Sequence, residues 1–206
     1  MNQKQIKGFT LIELIITISI LAILIAIVVV ALNPAEQLQR SRDTKRVADL
    51  DAIKTALNLY LAQATTTVNM SGAGTANQNC IGGGGTPSLY VNTTGAPTLQ
   101  SGNLTALVTS TNQTVGSAGW LGARIDQTPG GAPLASLPLD PTNGAGALTT
   151  FYYGYGCRAS NNTFEITARL ESNFYKTDLD QDGTDGGNST STYEVGTDLT
   201  IVQNGN

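Results

Sequence analysis

The chain begins with an apolar run that is too long for a soluble helix. From Phe9 to Leu32, 24 consecutive positions carry only four polar side chains, Thr10, Glu13, Thr17 and Ser19. At 1.5 Å per residue this run reaches roughly 36 Å, enough to cross a bilayer. Eleven of these residues, between Ile12 and Val30, are Ile or Val, which disfavours a helix in water. In hydrocarbon every backbone N–H must bond within its own segment, so the expected conformation is a membrane-spanning helix. Asn33-Pro34 closes the run. Proline removes a backbone bond and crowds the preceding turn, so Pro34 predicts a kink. A helical pattern resumes from Ala35 to Leu61, with Leu38, Val47, Leu50, Ile53, Leu57, Tyr60 and Leu61 along one stripe. This predicts an amphipathic stalk roughly 40 Å long, packed on its own domain and open to packing on further copies.

Beyond the stalk the pattern is sparse. Ser88 to Asn92 reads as a short strand, and Leu148 to Cys157 with Thr163 to Leu170 as a hairpin closing across Arg158 to Asn162. Phe151, Tyr152, Tyr153 and Tyr155 read as sheet core and its flank. Residues 63–119 are rich in Thr, Gly, Asn and Ser and include Gly82 to Gly85. Such composition buries little apolar area, so the expectation is long, partly mobile loop on the outer surface. It contains Asn-x-Thr sequons at Asn92, Asn103 and Asn112, a pattern that arises readily by chance in this composition.

Composition narrows the function. The 206 residues hold 11 Lys+Arg, 15 Asp+Glu, two Cys and no His, for a net charge of -4. Without histidine there is no Ser-His-Asp or Cys-His nucleophile system, so an enzyme is not expected and no catalytic residue is assigned. The acidic balance lacks the footprint that neutralises phosphates, so no nucleic-acid partner is expected. The 69 positions from Thr55 to Ala123 carry no charged side chain. Lys4 and Lys7 precede the apolar run as in a secretory signal peptide. The run, however, exceeds an ordinary h-region, lacks a small-x-small cleavage site and contains Glu13.

The segment Lys7-Gly8-Phe9-Thr10-Leu11-Ile12-Glu13-Leu14 resembles the prepilin signature of type IV pilins and type II secretion pseudopilins, over about thirty residues without a gap. The resemblance implies that a membrane peptidase cuts between Gly8 and Phe9 and N-methylates Phe9. That would leave 198 residues with 9 Lys+Arg against 15 acids, or -6. A glycine also lets the scissile bond enter a narrow active site that a Cβ would obstruct. An ionisable side chain inside a span costs at least about 2.5 kcal/mol on insertion scales, which marks Glu13 as functional. After processing its nearest cation is the Phe9 amine. Glu13 lies within helical reach of that amine in its own chain; the family reading pairs it instead with the Phe9 amine of a neighbouring subunit, fixing axial register.

The resemblance further implies an α+β fold: one long N-terminal helix, half membrane-spanning and half amphipathic, packed on a small antiparallel sheet with long polar loops. Expected divisions are a leader at 1–8, a span at 9–32, a stalk at 33–62 and an extracytoplasmic head at 63–206. Leu137-Pro138-Leu139-Asp140-Pro141 resembles the turn that precedes the Tyr-rich strand in major pseudopilins. The leader signature places the amino terminus in the cytoplasm, although Arg40, Arg42, Lys45 and Arg46 lie on the opposite flank. This second basic cluster is read as headgroup or subunit contacts.

Two further features carry chemistry. Cys80 and Cys157 are an even pair in a segment expected outside the membrane, where a disulfide persists; the alternative is two buried thiols. Asp178, Asp180, Asp182 and Asp185, interleaved with glycines, have the look of a calcium loop, although the twelfth position from Asp178 is Ser189 rather than Glu. The glycines and Asp198 beyond also resemble the calcium loop of major pseudopilins. A structural Ca²⁺ and a plain Asp-Gly surface loop both remain open.

The expected function is a structural subunit of a type IV pilus or a secretion pseudopilus. It would be held in the cytoplasmic membrane and then extracted into an extracellular filament. The implied partners are other pilins, prepilin peptidase and an assembly platform with its ATPase. The alternative is a membrane-anchored binding module that does not polymerise.

Overall fold

The computed structural model describes residues 8–64, 67–72, 77–93, 95, 104–143 and 150–202. The leader before Gly8, the sequon asparagine Asn103, and Leu148 and Thr149 of the expected hairpin lie outside them. The chain divides into two compact units, Met1–Gln39 and Arg40–Asn206.

In the first unit, helix α1 runs Leu11–Leu32. It is long and apolar enough to cross a membrane, and its side chains are exposed throughout. Residues 8–10 are not helical. Helical bonding is interrupted at Asn33, which takes the left-handed conformation (φ 42°, ψ 75°). Helix α2, Pro34–Gln63, starts immediately afterwards. Pro34 sits at the first helical position, where its missing N–H is no loss. Asn33 Oδ1 accepts the Glu36 N–H at 3.4 Å, so one residue closes α1 and caps α2.

The second unit is a sheet with α2 against one face. Strands β1 (Ser88–Val91), β2 (Ala106–Thr109), β3 (Tyr153–Arg158), β4 (Thr163–Ala168) and β5 (Tyr193–Gly196) lie in the order β2-β1-β3-β4-β5. All pairings are antiparallel except β1 with β2, which is parallel. The expected antiparallel sheet is thus only mostly so. The hairpin forms with shorter strands than read, the first starting only at Tyr153, with Tyr155 opposite Ile166 and Asn162 at φ 52° in the turn.

Strand β3, Tyr-Gly-Tyr-Gly-Cys-Arg, explains why the sheet has two covered faces. Successive side chains point to opposite faces. Tyr153, Tyr155 and Cys157 enter a core with Leu50, Ile53, Leu57 and Tyr60 of α2, Phe164 and Ile166 of β4, and Trp120. Gly154 and Gly156 face the other way, under a second cluster of Leu89, Val91, Leu104, Ile201 and Val202. A Cβ at Gly156 would lie 2.8 Å from Ile201 Cγ2 and 3.0 Å from Val202 Cγ2. Only a residue without a side chain lets the C-terminal strap lie this close.

Residues 63–119 correct the expectation of an outer loop. They supply β1, β2 and the buried side chains Met70, Cys80, Leu89, Tyr90, Val91 and Leu104. Few apolar residues suffice because uncharged polar groups satisfy the backbone. Three tyrosine hydroxyls converge on the strap after α2: Tyr60 accepts from Asn69 N, Tyr155 donates to Met70 O and Tyr90 donates to Ser71 O. Along α2, Leu50, Ile53, Leu57 and Tyr60 are buried as read, whereas Leu38 is exposed.

Candidate functional site

The amino-terminal residues form one hydrogen-bonded unit. Thr10 is the N-cap of α1 in extended conformation (φ -81°, ψ 152°). Its backbone N–H and its hydroxyl both donate to Glu13 Oε2, each at 2.9 Å. Glu13 N–H donates back to Thr10 Oγ1 at 3.3 Å, completing a capping box. Leu11 therefore begins the helix with the Glu13 carboxylate held at the cap, and Gly8 and Phe9 lie outside the helical segment with Phe9 exposed. The sequence reading weighed only the Phe9 amine as a partner for Glu13 and missed Thr10. The Thr-x-x-Glu spacing that signals it was present. Thr17 and Ser19 donate to the backbone oxygens of Leu14 and Ile15, which satisfies the remaining hydroxyls of the run.

In the head, Arg46 of the basic cluster after the span is built into the protein's own interior, contrary to the expected headgroup or subunit contacts, while Arg40 and Arg42 are half-buried and Lys45 is exposed. Arg46 is fully buried and pairs with Asp43 at 2.8 Å, with Asp140 at 2.6 Å and with Glu171. Burial opposes its charge, but Asp140, Asp43 and Glu171 more than offset this and hold it protonated. Its guanidinium also lies 4.9 Å from the Phe151 ring centroid. Arg42 forms a two-pronged pair with Glu171, and Arg40 lies over the Phe174 ring. Asp43 accepts from Glu171 N, Ser172 N and Ser172 Oγ, so the segment after β4 is fastened around the first turns of α2 in this unit. A helical stripe written in apolar residues ignores an arginine two of whose partners, Asp140 and Glu171, lie more than ninety residues away.

Cys80 and Cys157 are joined as a disulfide and fully buried. Ile81 N–H donates to Cys157 O and Ala159 N–H to Ile81 O, so the bridge is flanked by two backbone bonds. Of the sequons, Asn92 is buried, its Oδ1 accepting from Tyr153 N at 2.7 Å. Asn112 is exposed, with Oδ1 accepting from Thr114 N and Thr114 Oγ1.

The aspartate loop does not gather a metal site. Among the described residues no three Asp, Glu or Cys side chains are placed to hold one ion. Asp178 and Asp180 are exposed and Asp182 is buried. Asp185 spends both oxygens on backbone donors, Oδ1 on Gly187 N at 2.9 Å and Oδ2 on Glu194 N at 2.6 Å. Asp185 covers a backbone donor of the sheet's edge strand β5.

The same region holds a pair that sequence reasoning missed. Glu165 of β4 and Glu194 of β5 are both buried, on the glycine face of the sheet, and the Oε1 of each lacks a hydrogen-bond partner among the described residues. Burial, then the neighbouring Glu194 carboxyl, pushes the Glu165 carboxyl up to about 9. Burial also raises Glu194. Glu165 Oε2 accepts from Ile201 N at 2.8 Å and Val202 N at 2.9 Å; Glu194 Oε2 accepts from Ser189 N at 2.9 Å.

Compared with known proteins, residues 3–29 match the family model of the prokaryotic N-terminal methylation motif. The amino terminus thus carries the type IV pilin and pseudopilin signature on the residues that form the capping box and α1. No curated protein and no solved structure matches the chain.

Proposed function

We propose that this chain is a structural subunit of a type IV pilus or of a secretion pseudopilus, cut between Gly8 and Phe9, methylated on Phe9 and polymerised through its N-terminal helix. The observation that carries this reading is the methylation motif over residues 3–29, coinciding with an exposed apolar helix whose one charged side chain is Glu13. The non-helical backbone at residues 8–10 supports cleavage there, since a peptidase needs a peptide bond outside the helical ladder. The subunit is stored in the cytoplasmic membrane with its amino terminus inside. Prepilin peptidase releases the Phe9 amine, and an assembly platform with its ATPase extracts the subunit.

Glu13 is the assembly residue. In the uncleaved chain Thr10 provides the two donors that satisfy its carboxylate. After cleavage the Phe9 amine of a neighbouring subunit supplies a full charge, which a hydroxyl and an amide do not match. The Asn33-Pro34 joint lies where the apolar run gives way to α2.

The test is mass spectrometry of surface-sheared material beside Glu13→Ala. A methylated Phe9 terminus in sedimentable filaments, lost in Glu13→Ala with membrane insertion retained, supports the reading. A mature chain that starts at Met1, or filaments indifferent to Glu13, leaves a membrane-anchored binding module.

A further inference from the structure

We propose that Glu165 and Glu194 share a single proton and act as a clasp that ties both the aspartate loop and the C-terminal strap to the sheet, in the place where the aspartate pattern had suggested calcium. The argument starts from acceptors. Each carboxyl has one oxygen, Oε2, satisfied by backbone N–H groups, and one, Oε1, that is buried with no N–H or O–H donor. Two ionised carboxylates held together in the interior would repel each other and leave two unsatisfied acceptors. One proton between them removes the repulsion and satisfies both oxygens.

The surroundings are built for this pair. Glu165 lies opposite Gly196 and Glu194 opposite Thr167, which makes them diagonal neighbours on one face of the β4–β5 ladder. Gly156 is opposite Glu165 on β3, and a Cβ at Gly187 would collide with the Glu194 carboxyl. Through Oε2, Glu165 holds the strap at Ile201 and Val202, and Glu194 holds the loop at Ser189.

The charged groups that face the pair do not replace the proton. Asp185 approaches from the loop side and adds negative charge. Asp198 of the strap is occupied by Arg158 at 2.8 Å. Lys54 and Tyr193 line an adjoining cavity of about 320 Å³, while the donors to the two carboxyls are the backbone N–H groups of Ser189, Ile201 and Val202.

The folded pair keeps a proton that the unfolded chain releases in the ordinary carboxylate range. The clasp is therefore strongest in acid, and its contribution is lost as pH rises through the folded pair's titration. In that window each pH unit lowers the folding constant by up to about tenfold.

The test uses the full-length chain in detergent micelles. Trp120, the single tryptophan, is fully buried in the head, so its fluorescence reports head unfolding in urea. The urea midpoint of the wild type is expected to fall steadily from about pH 5 to about pH 9. Glu165→Gln, whose amide donates without titrating, should flatten that dependence. A carboxylic-acid C=O band in the infrared spectrum at neutral pH, lost in Glu165→Gln, identifies the shared proton. A wild-type midpoint flat across that range, or no such band, overturns the clasp without any variant. A chelator that lowers the wild-type midpoint also overturns it and assigns the loop to calcium. If Glu165→Gln does not fold, Glu194→Gln is read in the same way.

Discussion

Replacing Arg46 with methionine tests the interior of the head most directly. Methionine keeps much of the apolar stem and removes only the guanidinium. Asp43 and Asp140, both buried, then lose their cation, and Glu171 keeps only Arg42. Asp43 retains the donors of Glu171 and Ser172, and Asp140 retains Thr142 N and Thr142 Oγ1. The cost is therefore mainly uncompensated charge. Breaking a buried pair by removing one partner costs about 3 to 5 kcal/mol, against a total stability of about 5 to 15 kcal/mol for a domain. The internal comparison is Arg42→Met, whose side chain is 32 % exposed and paired with Glu171; solvent screening limits its loss to about 1 kcal/mol. Urea unfolding followed by Trp120 fluorescence measures both. A loss for Arg46→Met below about 1 kcal/mol, or no greater than for Arg42→Met, would refute the buried network.

Reduction of Cys80–Cys157, or the paired Cys80→Ala/Cys157→Ala change, should destabilise the head by about 4 to 5 kcal/mol at most on the chain-entropy model, since the bridge spans 77 positions; non-reducing peptide mapping and urea unfolding check it. Asn92→Ala should cost about 1 to 3 kcal/mol, because it strips the acceptor from a buried Tyr153 N–H, whereas Asn112→Ala should change the urea midpoint little. Of these two sequons, Asn112 rather than Asn92 should accordingly be the one that mass spectrometry finds glycosylated. Gly156→Ala should cost about 1 to 3 kcal/mol through collision with Ile201 and Val202, a loss that Ile201→Ala in the same chain partly relieves.

Where local pattern sets conformation, the sequence was readable. The apolar run, the break at Asn33-Pro34, the buried stripe from Leu50 to Tyr60 and the Tyr-rich hairpin all follow from spacing within a few turns or one strand pair. Strand β2 was missed because Ala106-Leu107-Val108-Thr109 is short, sits in neutral polar sequence and is half-buried or exposed along its length. Its pairing with β1 is parallel, so no tight turn announced it. Arg46 and Glu165 were missed for another reason. A charged side chain reads as surface until its partners are known, and Asp140, Glu171 and Glu194 come from distant parts of the chain. The aspartates of 178–185 show the converse: a local pattern pointed to a metal, while the fold turned Asp185 toward the backbone of β5.

The strap from Asn69 to Ser71 is gripped by Tyr60, Tyr90 and Tyr155 through its main chain alone. A clamp on peptide groups sets the path of this crossing without reading its side chains, and because Met70 and Ser71 are themselves buried, the crossing is part of the interior that it closes.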